Sequence, residues 1–167
     1  MKNLTTKKLA TAAMLIAVGV VCSPLYFPVG ASKCFPVQHL INILAAVFLG
    51  PFYGVVMAAV TSLLRIATGM GTMLAFPGSM CGALIAGLSY KFIKKTPAAF
   101  IGELFGTGII GALAAYPLAT LVMGSDAALF AYVIPFAVSS LGGTIIAIFL
   151  VTALKKTHAL DKFFEVK

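Results

Sequence analysis

The chain has 167 residues, of which 61% are hydrophobic and 10% are charged. A soluble domain has roughly 25% charged residues, so this composition predicts an all-α integral membrane protein instead. The formal net charge of +8 lies in lysine clusters between apolar runs, and no basic stripe with interleaved aromatic side chains occurs, which argues against nucleic acid as a partner.

Six apolar runs predict a bundle of six transmembrane helices in one domain, residues 1–167, because no linker or repeat divides the chain. In chain order the runs cover about residues 9–25, 37–49, 52–67, 77–90, 98–123 and 129–154. Pro77 is a good first residue for the fourth helix, and Pro135 is expected to kink the sixth. The first run follows lysines as in a signal peptide, but Val21 before Cys22 fits a signal peptidase poorly, so we interpret the run as a retained span.

The lysine clusters orient the predicted spans. With the N-terminus in the cytoplasm, all three clusters fall on the cytoplasmic side, and only Lys33 and Arg65 fall on the outer side. By the positive-inside rule this favours six spans with both termini in the cytoplasm. The loops at residues 26–36 and 68–76 are then outside.

The second run is too short to cross a bilayer as a helix. Thirteen residues at 1.5 Å each give about 20 Å, against roughly 30 Å of hydrocarbon. Either the boundaries of the run shift by a few residues, or loop 26–36 enters the protein and completes the crossing. Since irregular backbone at membrane depth must be buried in protein or line a cavity, we hypothesise a pocket that opens outward, with loop 26–36 as its lid.

Polar residues in the apolar runs are candidate ligand contacts. Gln38, His39 and Asn42 lie three or four residues apart in "FPVQHLIN", so they can face one cavity and suit a small, polar, largely uncharged ligand. Alternatively, they bond loop backbone groups or bridge helices. Five further substrate-site candidates are polar or aromatic residues near the outer side: Tyr26, Phe76, Ser79, Tyr116 and Ser139.

Three charged residues have competing interpretations. Arg65 either snorkels to the headgroups, pins an outer loop or contacts the ligand. Lys33 is expected to be a solvated or lid residue, with ligand contact as the alternative. Glu103 is placed in the cytoplasmic half of the fifth run, where pairing with a cytoplasmic lysine or helix packing is favoured over proton relay.

Catalytic and metal-binding motifs are absent from the sequence. There is no G-x-x-x-x-G-K-[ST], H-E-x-x-H or G-x-S-x-G, and the three cysteines form no C-x-x-C pair. The chain is therefore predicted to be neither an ATPase nor another enzyme, and to need no cofactor or metal.

The stretches "FPVGASKCFPVQHLIN", "LGPFYG" and "SLLRIATGMGTMLAFPGSMCGALIAGL" resemble the substrate-binding S components of energy-coupling factor (ECF) vitamin transporters, of the ThiW type. The resemblance covers nearly the whole chain. It implies a multi-pass protein of the bacterial cell membrane that captures the thiamine precursor hydroxyethylthiazole, or a related thiamine moiety, from outside. It also implies docking on a transmembrane coupling protein and two ATPase subunits, which use the ATP. The docking face would be Ala13 and Ala17 on the first helix, and Val21 departs from its small-residue pattern.

Two other functions stay open at this point. A stand-alone proton-coupled secondary carrier would depend strongly on Glu103. A membrane assembly subunit would bind no small molecule, so no ligand would raise its thermal stability.

Overall fold

The computed structural model describes residues 2–29 and 32–157, and this part of the chain forms six helices and one two-stranded hairpin. The elements are α1 (Lys2–Val21), β1 (Phe27–Val29), β2 (Ser32–Cys34), α2 (Pro36–Phe48), α3 (Pro51–Ala67), α4 (Ala75–Ile93), α5 (Thr96–Val122) and α6 (Val133–Lys156). Helix α5 is continuous and includes two π-helical segments, Gly106–Gly111 and Leu118–Val122. Lys162 and Lys167 of the C-terminal cluster lie outside the described residues.

The observed helices follow the predicted apolar runs, with three differences. Helix α4 begins at Ala75, so Pro77 is its third residue and not its first. Helix α1 ends at Val21, earlier than predicted. Helix α6 begins at Val133, so Pro135 lies in its first turn, and the predicted kink is wrong. The missing N–H of Pro135 removes no helical hydrogen bond there, because the first-turn N–H groups have no partner within a helix.

The loop after α1 is a hairpin, so the described fold is not purely α-helical. Strands β1 and β2 pair antiparallel, with Phe27 opposite Cys34. Cys34 is fully buried, and its thiol donates to the carbonyl oxygen of Pro135 at 3.3 Å. The N–H of Phe35 donates to Ser139 Oγ at 2.8 Å. These two hydrogen bonds attach the end of the hairpin to the beginning of α6.

Helix α4 packs against α3 on one side and α5 on the other. Glycine permits both close approaches, since a Cβ at Gly87 would lie 2.5 Å from Pro51 Cα and one at Gly102 would lie 2.8 Å from Ala86 Cα. Small residues at helix interfaces are typical of packing in membranes.

Helices α5 and α6 are long and apolar enough to cross a membrane, whereas α2 and α3 are apolar but shorter. Large apolar side chains are exposed on the outside of the bundle, among them Phe52, Phe92 and Phe149. An apolar exterior of this kind fits a lipid environment. The count of six spans and their orientation stay predictions.

Candidate functional site

A cavity of about 300 Å³ lies between the end of the hairpin and one end of the helical bundle. All helices except α1 contribute lining residues, together with the loops after α3 and α5. Its size matches sites for small ligands, which are concave and mostly apolar with a few placed polar groups. Six of the predicted site residues line it: Lys33, Gln38, His39, Arg65, Ser79 and Ser139.

The other four predicted site residues lie outside the cavity lining. Asn42 is buried one helical turn behind the wall formed by Gln38 and His39. Tyr26 is exposed on the hairpin side, with its ring 5.6 Å from that of Phe35. Phe76 and Tyr116 are half-buried elsewhere.

Some residues that line the cavity were not predicted from the sequence, including Phe35, Thr107, Tyr132 and Phe136. Thr107 carries a sequence signal that was available, because it follows Glu103 by one helical turn and therefore shares its face. The aromatic residues carry no such signal, since apolar rings also occur throughout the lipid-facing surface.

Glu103 is fully buried and accepts hydrogen bonds from two helices. Its Oε1 lies 2.8 Å from His39 Nδ1, 3.0 Å from Asn42 Nδ2 and 2.9 Å from Thr107 Oγ1. The expected pairing of Glu103 with a cytoplasmic lysine is therefore wrong. The neighbours of α5 along this stretch include α2, α4 and α6, and no lysine of the described residues forms an ion pair with Glu103.

One carboxylate oxygen, Oε1, accepts all three hydrogen bonds, while Oε2 is buried without a partner among the described residues. His39 then carries its proton on Nδ1, and the hydrogen bond fixes the orientation of the ring. Gly143 lets α6 lie directly against this turn of α2, since a Cβ there would be 2.6 Å from His39 Cβ. The imidazole at the cavity wall is thus held from two sides.

A second polar cluster connects α2, α3 and α4 nearer the hairpin. Gln38 Nε2 donates to Ser62 Oγ at 3.3 Å, and the hydroxyls of Ser62 and Ser79 lie 3.3 Å apart. Arg65 Nη1 donates to Gln38 Oε1. These contacts orient the Gln38 amide, so its oxygen faces Arg65.

Arg65 does not snorkel to the surface, since it is 1% exposed. Its guanidinium carbon lies 3.9 Å from the centre of the Phe35 ring, a cation–π contact. Snorkelling is therefore wrong for Arg65, which pins the loop through Phe35 at the end of the hairpin; ligand contact stays a prediction, since Arg65 also lines the cavity.

The arrangement is a cavity lined by both polar side chains and aromatic rings, enclosed in an apolar helical bundle. Sites for small molecules typically have this combination of an apolar enclosure and a few placed polar groups. The fold is that of a transporter S component: a solved S component of a bacterial ECF transporter matches 92% of this chain and 98% of its own chain, with a TM-score of 0.76 and 22% identity.

The model of the thiamine-precursor transporter protein (ThiW) family matches residues 9–157, and the chain belongs to this family. No curated protein gives a significant match. The chain is therefore a membrane transport protein and not an enzyme.

Proposed function

We propose that this chain is the substrate-specificity subunit of an ECF-type ABC transporter in the bacterial cell membrane, and that it captures hydroxyethylthiazole or a related thiamine moiety from outside. The cavity beneath the hairpin is the observation that carries the proposal. Its polar groups provide donors and acceptors for a hydroxyl tail, and its rings can stack on a flat heterocycle. The family supports a thiamine precursor as the substrate.

The position of the lysines supports an outward-facing cavity. The cavity lies where α2, α4 and α6 begin, whereas Lys91 and Lys155 lie where α4 and α6 end. Lys155 Nζ donates to Thr96 Oγ1 at 2.9 Å, which ties the end of α6 to the start of α5 at the face opposite the cavity. By the positive-inside rule the lysine face is cytoplasmic, so the cavity opens to the outside.

The exposed side of α1 supports docking on a partner. Ala13 and Ala17 are one turn apart on that side, and both are exposed, while Ala12 is buried against the bundle. Small residues on a lipid-facing side allow another helix to approach closely. We propose that the transmembrane coupling protein docks here and that two ATPase subunits, not this chain, hydrolyse ATP.

A thermal-shift screen of the purified protein against thiamine, hydroxyethylthiazole and the pyrimidine half of thiamine tests the substrate. A ligand present at 100 times its Kd raises the free energy of unfolding by about 2.7 kcal/mol, and the melting temperature rises accordingly. No shift with any of the three would contradict the proposal and favour an assembly subunit.

An uptake assay tests the partners. Uptake should require the ATPase subunits and should be lost in Ala13→Leu/Ala17→Leu, while ligand binding by the purified variant is retained. Exposed Met14 lies on the same helix, so Met14→Leu is a matched control that adds no bulk at the docking face.

The secondary carrier stays as a second candidate because His39 and Glu103 form a buried titratable pair. It predicts uptake that follows the proton gradient without the ATPase subunits and is abolished in Glu103→Gln. Uptake that stops when the ATPase subunits are removed would exclude it.

A further inference from the structure

Arg65 is the cationic side chain at the cavity whose hydrogen bonds are incomplete. Its Nη1 donates to Gln38, and its guanidinium lies against the ring of Phe35. Its Nε and Nη2 are buried and have no hydrogen-bond partner among the described residues.

The charge of Arg65 is also unpaired in the described part of the chain. Glu103, the carboxylate nearest the cavity floor, pairs with His39. Asp126 is exposed in the loop after α5 and forms no ion pair with Arg65. A buried cation without a counter-charge is costly, and in membrane proteins such a residue usually marks a path or site for a charged group.

The two unpartnered nitrogens are neighbours along one edge of the guanidinium. Such an edge presents two parallel N–H donors, which match two oxygens of a carboxylate or phosphate. The guanidinium is preorganised for this contact, because Gln38 holds the opposite nitrogen and Ser62 in turn holds Gln38. Preorganised donors bind with a smaller loss of conformational freedom.

We propose that the ligand of this cavity carries an anionic group, a phosphate ester or a carboxylate, and that the Nε/Nη2 edge of Arg65 binds two of its oxygens. This inference rests on the proposed function, since it names the substrate class of the same cavity. Both nitrogens are closed to solvent in this conformation, so Phe35, which covers the guanidinium, moves aside as the ligand enters. Lys33, exposed at the cavity mouth with its Nζ 4.5 Å from the centre of the Tyr26 ring, adds positive charge that attracts an anion.

The test compares three thiazoles on the purified protein in nanodiscs by isothermal titration: the neutral hydroxyethylthiazole, its phosphate ester and the thiazole with an acetate side chain. We expect at least one anionic thiazole to bind about tenfold or more tightly than the alcohol, which corresponds to one good charge-assisted contact. The two anionic arms distinguish a phosphate from a carboxylate ligand.

Variants then assign the preference to Arg65. Arg65→Gln should lower the ratio of the affinity for the anion to the affinity for the alcohol to about one, whatever its effect on binding of the alcohol itself. Arg65→Lys should recover only part of it, because lysine keeps the charge but loses the two-donor edge. Lys91→Gln is the control, because it makes the same change in net charge at the end of α4 that lies away from the cavity. This variant should keep the full preference for the anion.

The outcomes separate the two proposals. If none of the three thiazoles binds, hydroxyethylthiazole fails as the proposed substrate, and the inference fails with it. If the alcohol binds as tightly as both anions in the wild type, the inference fails while the proposed function stands, and this comparison requires no variant to fold. A preference for the anion that persists in Arg65→Gln would also overturn the role of Arg65.

Discussion

Gly82 on α4 provides a direct test of the buried network around Glu103. A Cβ at this position would lie 2.0 Å from Thr107 Oγ1 and 2.7 Å from both carboxylate oxygens of Glu103. Gly82→Ala must therefore displace the side chains of Glu103 and Thr107, which lie against this part of α4. Overpacking costs about 1–3 kcal/mol, and each weakened hydrogen bond adds about 1 kcal/mol, so we expect a loss of about 2–4 kcal/mol in the free energy of unfolding.

Gly54 on the adjacent helix α3 is the matched control. A Cβ there meets the Cβ and carbonyl oxygen of Ala83 at 3.6 Å, an ordinary van der Waals distance. Gly54→Ala should be neutral or stabilise the protein by up to about 1 kcal/mol, because alanine is the better helix former. Denaturant unfolding of both variants in the same detergent measures the difference. Equal stability of the two variants would refute the packing of Glu103 and Thr107 against Gly82.

A double variant identifies the atom responsible. Thr107→Ala removes the hydroxyl that lies nearest to the new methyl group, so Gly82→Ala should cost less in that background than in the wild type. Contacting residues usually show coupling of about 0.5–3 kcal/mol, whereas distant sites are additive. Additive costs would mean that Thr107 is not the group displaced.

Three further predictions concern the site and the hairpin. His39→Ala and Asn42→Ala should each weaken binding of the preferred ligand, measured by calorimetry, with the fold retained. His39 acts at the cavity wall, and Asn42 acts through its hydrogen bond to Glu103. Unchanged affinity in both variants would contradict the assignment of this cavity as the ligand site. Glu103→Gln should lower the free energy of unfolding by about 1–2 kcal/mol, because an amide oxygen forms weaker hydrogen bonds with His39, Asn42 and Thr107 than a carboxylate oxygen does. No loss would argue that these hydrogen bonds contribute little to stability. Burial raises the pKa of Cys34 above its ordinary value. The thiol of the unfolded chain therefore releases its proton at a lower pH than the thiol of the folded protein. The contribution of Cys34 to the free energy of unfolding is complete below about pH 8.5 and declines as the pH rises toward the raised pKa. Melting temperatures from pH 7.5 to 10 should fall more steeply for the wild type than for Cys34→Ala, and parallel curves would contradict this assignment.

Hydropathy and helix-breaking residues were sufficient to predict where the helices lie. The break between α2 and α3 is an example, since Gly50 adopts a φ of 89° and Pro51 begins the next helix. The contacts of Glu103 were not predictable in this way. Its position in the predicted cytoplasmic half of the fifth run suggested a lysine partner. The actual partners of Glu103 depend instead on which helices pack beside this part of α5. Burial of Arg65 likewise depends on the fold, because it requires Phe35 from the hairpin to cover it.

The short length of α2 explains why the cavity lies where it does. Helix α2 has 13 residues, and it begins at Pro36 directly after the hairpin. A longer helix would continue outward through the space beside α6, but Cys34 and Phe35 turn the chain into the hairpin and are fixed to α6 by their hydrogen bonds to Pro135 and Ser139. Irregular backbone can lie at membrane depth only where protein surrounds it, and the hydrogen bonds of Cys34 and Phe35 to α6 meet this requirement. The consequence is that Gln38 and His39, in the first turn of α2, lie at the base of the space that the missing turns would have filled.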